Sequence, residues 1–153
     1  MLELQIKSLL ERELNCLERL RAILIEEHKA LLSADLDALG NATADKNAAL
    51  ANQAEATRAR QGLTAGSASD SALIDLIASC ENHVQLNESL SKLDYLAKQC
   101  HTQNRDNGRL IMQKQKQAKS ALDIIRQTES TTSTYSGYGK ATDTSTTRSL
   151  GKA

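Results

Sequence analysis

From Leu86 to Ile125 one rhythm runs without a slip. Leu86, Leu90, Leu93, Ala97, Cys100, Asn104, Asn107, Ile111, Lys114, Ala118, Ala121 and Ile125 follow alternating four- and three-residue steps, with Leu96, Leu110 and Ile124 flanking them. Such steps keep side chains on one face of a 3.6-residue helix and match the a and d positions of a heptad. The same stretch contains HTQNRDNGRLI at 101–111, rich in poor helix formers and including Gly108. A glycine costs about 1 kcal/mol against alanine inside a helix. A loop would have no reason to hold phase with the seam on both sides, so the pattern favours one helix carrying Asn104 and Asn107 on its seam. A break there would give a four-helix bundle of shorter rods.

Elsewhere the chain agrees with long helices. Residues 2–32 place Leu2, Ile6, Leu9, Leu10, Leu14, Leu17, Leu20, Ile23, Leu24 and Leu31 in one broad stripe, with Glu and Arg on the other face and Glu3–Lys7 as an i,i+4 pair. Ser33 is positioned to cap a second helix, with Asp35 and Asp37 in its first turn, running to about Gln61. That helix has a thin stripe of Leu36, Leu39 and Leu50, then mostly Ala, and small side chains let a partner backbone come close. GLTAGSASD from Gly62 reads as a linker, and Ser69 or Asp70 opens the third helical segment. There is no Pro, no Phe and no Trp, so any core is built from Leu, Ile and Ala. The expected fold is all-α: an antiparallel, coiled-coil-like bundle of three long amphipathic helices, or of four if one is split. Residues 1–129 form the helical domain. Residues 130–153 hold twelve Ser or Thr and three Gly; they cannot bury enough surface to offset their ordering entropy and read as a disordered tail.

Charge is balanced overall but uneven along the chain. Lys and Arg against Asp and Glu number 8 to 10 in residues 1–62, 1 to 5 in 63–97 and 10 to 4 in 98–153. The bases Arg105, Arg109, Lys116, Lys119 and Arg126 fall on the outer b and f positions of the last helix, either as a solvated face or as a stripe for an acidic protein surface. A neutral chain with three aromatics and no recognised motif argues against nucleic acid. No run approaches the roughly 20 apolar residues of a membrane span. Three unpatterned cysteines, Cys16, Cys80 and Cys100, fit free thiols in a reducing cytosol, and the N-terminus does not read as a secretory signal.

No catalytic fingerprint is present and no nucleophile can be paired with a base, so the chain reads as a non-enzyme without a cofactor. Cys80 and His83 lie one turn apart, but a zinc site needs four ligands. The seam amides have two readings. Asn at an a position fixes register at some cost in stability; alternatively Asn104 and Asn107 mark where a partner is bound, with Gly108 permitting close approach. Because the second helix is weakly striped, Leu110, Ile111, Leu122, Ile124 and Ile125 are candidates for an apolar strip covered by a partner, by a second copy or by the bundle itself.

The residues carry a resemblance. A long amphipathic first helix, the acidic opening ADLDAL of the second, Lys46 soon after, and above all Q-N-x-x-N-G-x-L-I at 103–111 resemble the FlgN family of flagellar export chaperones. TYSGYGK, with Tyr135 and Gly139, is similar to that family's tyrosine followed by a glycine four residues on. The resemblance implies a cytosolic chaperone. It would bind the C-terminal helical region of flagellar hook-associated proteins, prevent premature assembly and deliver them to the flagellar type III export apparatus. It also implies that Tyr135, with Tyr138 as a close competitor, docks to the export gate. The alternative from a different class is a self-assembling coiled-coil structural or spacer protein, a homodimer in its simplest form.

Overall fold

The computed structural model describes residues 1–64 and 70–132, which form four helices and one 3-10 turn with no strand among them. Helix α1 (Leu2–Ser33) is the spine. Ile6, Leu10, Leu14, Leu17, Leu20, Leu24 and Leu31 are buried along it, the three- and four-residue steps that its sequence predicts. Its end is set by Ala34, in the left-handed region at φ 55°, whose N–H reaches Ala30 O, as does that of Asp35 at 3.1 Å. The expected cap is displaced by two residues. Ser33 is the last residue of α1, its hydroxyl donating to Ala30 O, and Asp35 caps α2 (Leu36–Gln61) by accepting from Ala38 N–H at 3.0 Å.

Helix α2 runs antiparallel to α1, and its inner face corrects the sequence expectation. The buried residues are Ala42, Ala49 and Ala56, seven apart, whereas Leu36 and Leu50 are exposed. Alanine at each inward turn lets the two backbones close together, and no leucine could sit there without pushing them apart. Two ion pairs to buried glutamates set the register: Arg60 Nε donates to Glu13 Oε2 at 2.5 Å, and Lys46 Nζ to Glu27 Oε1 at 2.6 Å, both cations being half-buried. Both sums of paired residue numbers are the same, as an antiparallel pair with fixed register requires. These glutamates were expected on the solvent face of α1. They are instead core residues.

The third expected segment is two helices. After a 3-10 turn at Gly62–Thr64, α3 (Asp70–Ala78) places Leu73 and Ile77 in the same core as Ile6 and Leu10. It ends where Ser79 and Cys80 N–H turn back to Leu76 and Ile77 carbonyls, and Ser79 Oγ also donates to Leu76 O. No Pro or Gly marks this break in the sequence. Asn82 then precedes α4 (His83–Thr132): its carbonyl accepts from Leu86 N–H and its amide donates to Glu3 on α1. Glu3 is thereby taken from the expected pair with Lys7, which lies 4.0 Å from Glu11.

Helix α4 is unbroken through 101–108, so the described residues make four helices by splitting at 79–82, not at the polar stretch. It runs parallel to α1. Cys100 Sγ donates to Leu17 O and Asn107 Nδ2 to Leu24 O, each pair 83 residues apart, and Lys92 reaches Glu18 across the same pair of helices. The chain divides into two units, Met1–Gln113 and Lys114–Ala153, each considered separately below. Helix α4 extends to Thr132, three residues past the expected boundary at 129; the rest of the expected tail, with Tyr135 and Tyr138, lies outside the described residues.

Candidate functional site

Within the first unit, the burial pattern of α4 decides what each signature residue does. Leu86, Leu93, Cys100 and Asn107 are buried, spaced seven apart, and Leu96 lies beside them. The neighbouring series Leu90, Ala97, Asn104, Ile111 is half-buried or exposed. The seam is therefore rotated from the expected a/d line toward d and g positions. Of the two seam amides, one is inside and one is not.

Asn107 is the inner one, fully enclosed at 0% exposure. Its Nδ2 donates to Leu24 O and to Glu27 Oε2, both at 2.8 Å. Its Oδ1 accepts from Gln103 Nε2 at 3.0 Å and meets His28 Nδ1 at 3.0 Å. An amide oxygen can only accept, so His28 must carry its proton on Nδ1. Glu27 also holds Lys46, so one chain of hydrogen bonds ties α2, α1 and α4 at a single level. A buried amide with every group satisfied rigidifies and specifies packing. Asn107 therefore has no polar atom left over for a partner; its geometry is that of a register lock.

Asn104 is exposed and borders a furrow of about 270 Å³. Leu17, Leu20 and Leu24 of α1 line it, with Leu50 and Gln53 of α2 and Ala97, Cys100 and His101 of α4. Gly108, one turn on from Asn104, faces open space: a Cβ built there meets nothing within 4 Å. Nothing among the described residues requires glycine at that position. Leu110 and Ile111 follow, both half-buried.

In the second unit every residue from 115 to 129 is exposed. Leu122, Ile124 and Ile125 show 53%, 64% and 53% of their surface, so three large apolar side chains lie uncovered within four residues. Arg105 and Arg109 of the first unit, each near Asp106 at 3.5 and 3.8 Å, are exposed, as are Lys116, Lys119 and Arg126 of the second.

Glu13 is 2% exposed and accepts from Arg60, Thr57 and Gln53. Sequence reading missed Glu13 and Glu27; the available signal was that Glu13 to Glu27 and Lys46 to Arg60 share one spacing of two heptads. Burial pushes the Cys100 thiol above its ordinary range, partly offset by Arg21. His83 Nδ1 lies 3.3 Å from Cys80 O, and among the described residues no three His, Cys, Asp or Glu gather as a metal-binding group. No described helix is long and apolar enough to cross a membrane.

Comparison with known proteins gives one result. A family model described as FlgN protein matches residues 1–143, which includes every element above. No curated protein and no solved structure matches the chain.

Proposed function

This chain belongs to the FlgN family of flagellar export chaperones, and from that premise we propose that it binds the C-terminal helical region of flagellar hook-associated proteins in the cytoplasm. It holds them back from premature assembly and delivers them to the flagellar type III export apparatus. Membership in a chaperone family, not an enzyme family, supports a role in flagellum assembly generally; the substrate and the delivery step are our reading.

The observation that carries it is the exposure of Leu122, Ile124 and Ile125. At about 25 cal/mol per Å² of apolar surface, leaving Leu122 and Ile125, which share one face, in water is a cost that a covering helix removes, while Ile124 lies about 100° round from Ile125, off that face. A partner helix with anchors at i, i+3, i+4 and i+7 fits such a strip. In the first unit, Asn104, Gly108, Leu110 and Ile111 supply a second patch: an exposed amide, a bare backbone and two half-buried apolar side chains. Asn107 serves this patch by fixing α4 against α1, not by touching the substrate. Tyr135 and Tyr138 are proposed for export-gate docking on the strength of the family resemblance alone.

The test is co-elution of the full chain with the C-terminal region of a hook-associated protein, at micromolar concentration. A stoichiometric complex is expected. Leu122→Asp with Ile125→Asp should abolish it while helicity by circular dichroism is kept. Failure of every hook-associated region to bind overturns the reading, and a stable homodimer indifferent to them would favour the coiled-coil spacer.

A further inference from the structure

The chemistry of the partner can be narrowed from the second unit alone, resting on the reading that the strip at 118–125 is a substrate-binding face. At about 100° per residue, Ala118, Ala121, Leu122 and Ile125 fall within one arc of roughly 100°. Two alanines in that arc let a partner backbone approach closely, and Leu122 and Ile125 alternate with them round the arc as knobs. All four are exposed. The edge next to Leu122 is cationic. Lys119 and Arg126 follow it about 40–60° round the helix and are seven residues apart, or roughly 10 Å along the axis. Lys114 lies within the arc at one end and Glu129 at the other, while Asp123 lies on the outer flank of the cationic edge, about 40° beyond Lys119 and 60° beyond Arg126, so that the edge carries two positive charges against one negative. Among the described residues 114–129, Lys114, Lys116, Lys119 and Arg126 oppose only Asp123 and Glu129. The apolar face is thus bordered by positive charge on one side, where a covering helix must bring its own flanking residues.

We propose that the helix covering this face is acidic along one edge, with carboxylates seven residues apart that pair with Lys119 and Arg126. A basic or neutral amphipathic helix of equal apolar content is discriminated against by like charge or by the loss of both pairs. The same repeat sets the register of the bound helix, because a slip of one turn carries both carboxylates away from both cations together.

Three synthetic amphipathic helices test this against the full chain. They share one apolar seam and carry Glu, Gln or Lys at the two flanking positions. Fluorescence anisotropy is expected to rank them Glu above Gln above Lys, by about fivefold per step, the upper range for exposed pairs. The ranking should compress as ionic strength is raised toward about 1 M. Lys119→Glu with Arg126→Glu should reverse it, so that the Lys helix binds best. Equal binding of all three, or a ranking that survives the double reversal, overturns the proposal. Leu122→Asp with Ile125→Asp separates the two readings. If it abolishes binding of three equally bound helices, the strip stands as a binding face and its charge selectivity falls. If the Glu helix binds and the reversal works but no hook-associated region binds, the acidic-partner inference stands and the assigned substrate falls. Light scattering that shows a dimer dissolved by the Asp variant, with no helix bound, overturns both.

Discussion

Asn107 on α4 donates to Glu27 on α1 at 2.8 Å, and the other oxygen of that carboxylate accepts from Lys46 on α2 at 2.6 Å. A single buried glutamate is therefore the meeting point of three helices, and the two residues it joins come from opposite ends of the family resemblance, the early lysine and the late Asn-Gly pair. Their joint presence has a mechanical reason. Each side chain finds its partner on α1, Lys46 in Glu27 and Asn107 in Glu27 and Leu24 O, so that one carboxylate holds both outer helices in register.

Asn107→Ala should destabilise the protein by about 2–4 kcal/mol, because it opens a cavity and strips donors from Leu24 O and Glu27 at once. Asn104→Ala, one turn earlier and exposed, should change stability by no more than about 0.5 kcal/mol. Urea unfolding of the two variants side by side is the check. Equal losses would contradict the assignment of lock to Asn107 and surface residue to Asn104.

Breaking the pair at the other buried glutamate should be as costly. Arg60→Met leaves Glu13, 2% exposed, with only Thr57 and Gln53 as donors, and a loss of about 3–5 kcal/mol is expected. Adding Glu13→Gln removes the uncompensated charge and should recover a good part of the loss, so the double-mutant cycle gives a coupling energy well above zero. A cycle that sums without coupling would mean that the pair does not set the α1–α2 register.

How far the sequence carried these conclusions differs by element. Helix α1 and the continuity of α4 through 101–108 were legible, since leucine spacing survives any tertiary context that buries one face. The inner face of α2 was not. Its alanines are buried because α1 comes close, a property of the pair that no single-helix pattern records, so Leu36 and Leu50 drew the eye to the wrong side. Glu13 and Glu27 were misplaced for the same reason: a glutamate reads as solvent-facing until its cation on another helix is known. The break at 79–82 lacks Pro and Gly and is held by Ser79 and Asn82 contacts that exist only in the fold. For Asn104 and Asn107, spacing placed both on one seam, yet a rotation of α4 by part of a turn sent one inward and the other to the rim.

The Cys100 thiol offers a pH test. Its folded-state value is raised by burial, so the stabilising term is fully present below the unfolded thiol value and is lost as pH rises through the folded one. Stability should thus decline above about pH 8.5, the ordinary thiol value. Cys100→Ala should flatten that alkaline decline at some cost in stability at neutral pH. Alkylation at pH 8 should modify the half-buried Cys16 and Cys80 before Cys100. Thermal melts of both proteins across the alkaline range decide it, and an identical slope with and without the thiol would refute the assignment.

Gly108 separates folding from function. A methyl group there meets nothing within 4 Å, and the backbone is ordinary helix. Gly108→Ala should therefore stabilise the free protein by about 0.4–1 kcal/mol, chiefly by restricting the unfolded chain. If a partner backbone lies against this position, the same methyl group must clash with it, and affinity should fall by about tenfold or more as the complex loses close contact. Opposite signs in the two measurements, a higher urea midpoint and a weaker complex with a hook-associated C-terminal region, are the expected outcome. Higher stability with unchanged affinity would move the docking surface off Asn104 and Ile111 and leave the exposed strip at Leu122 and Ile125 to bear the partner alone.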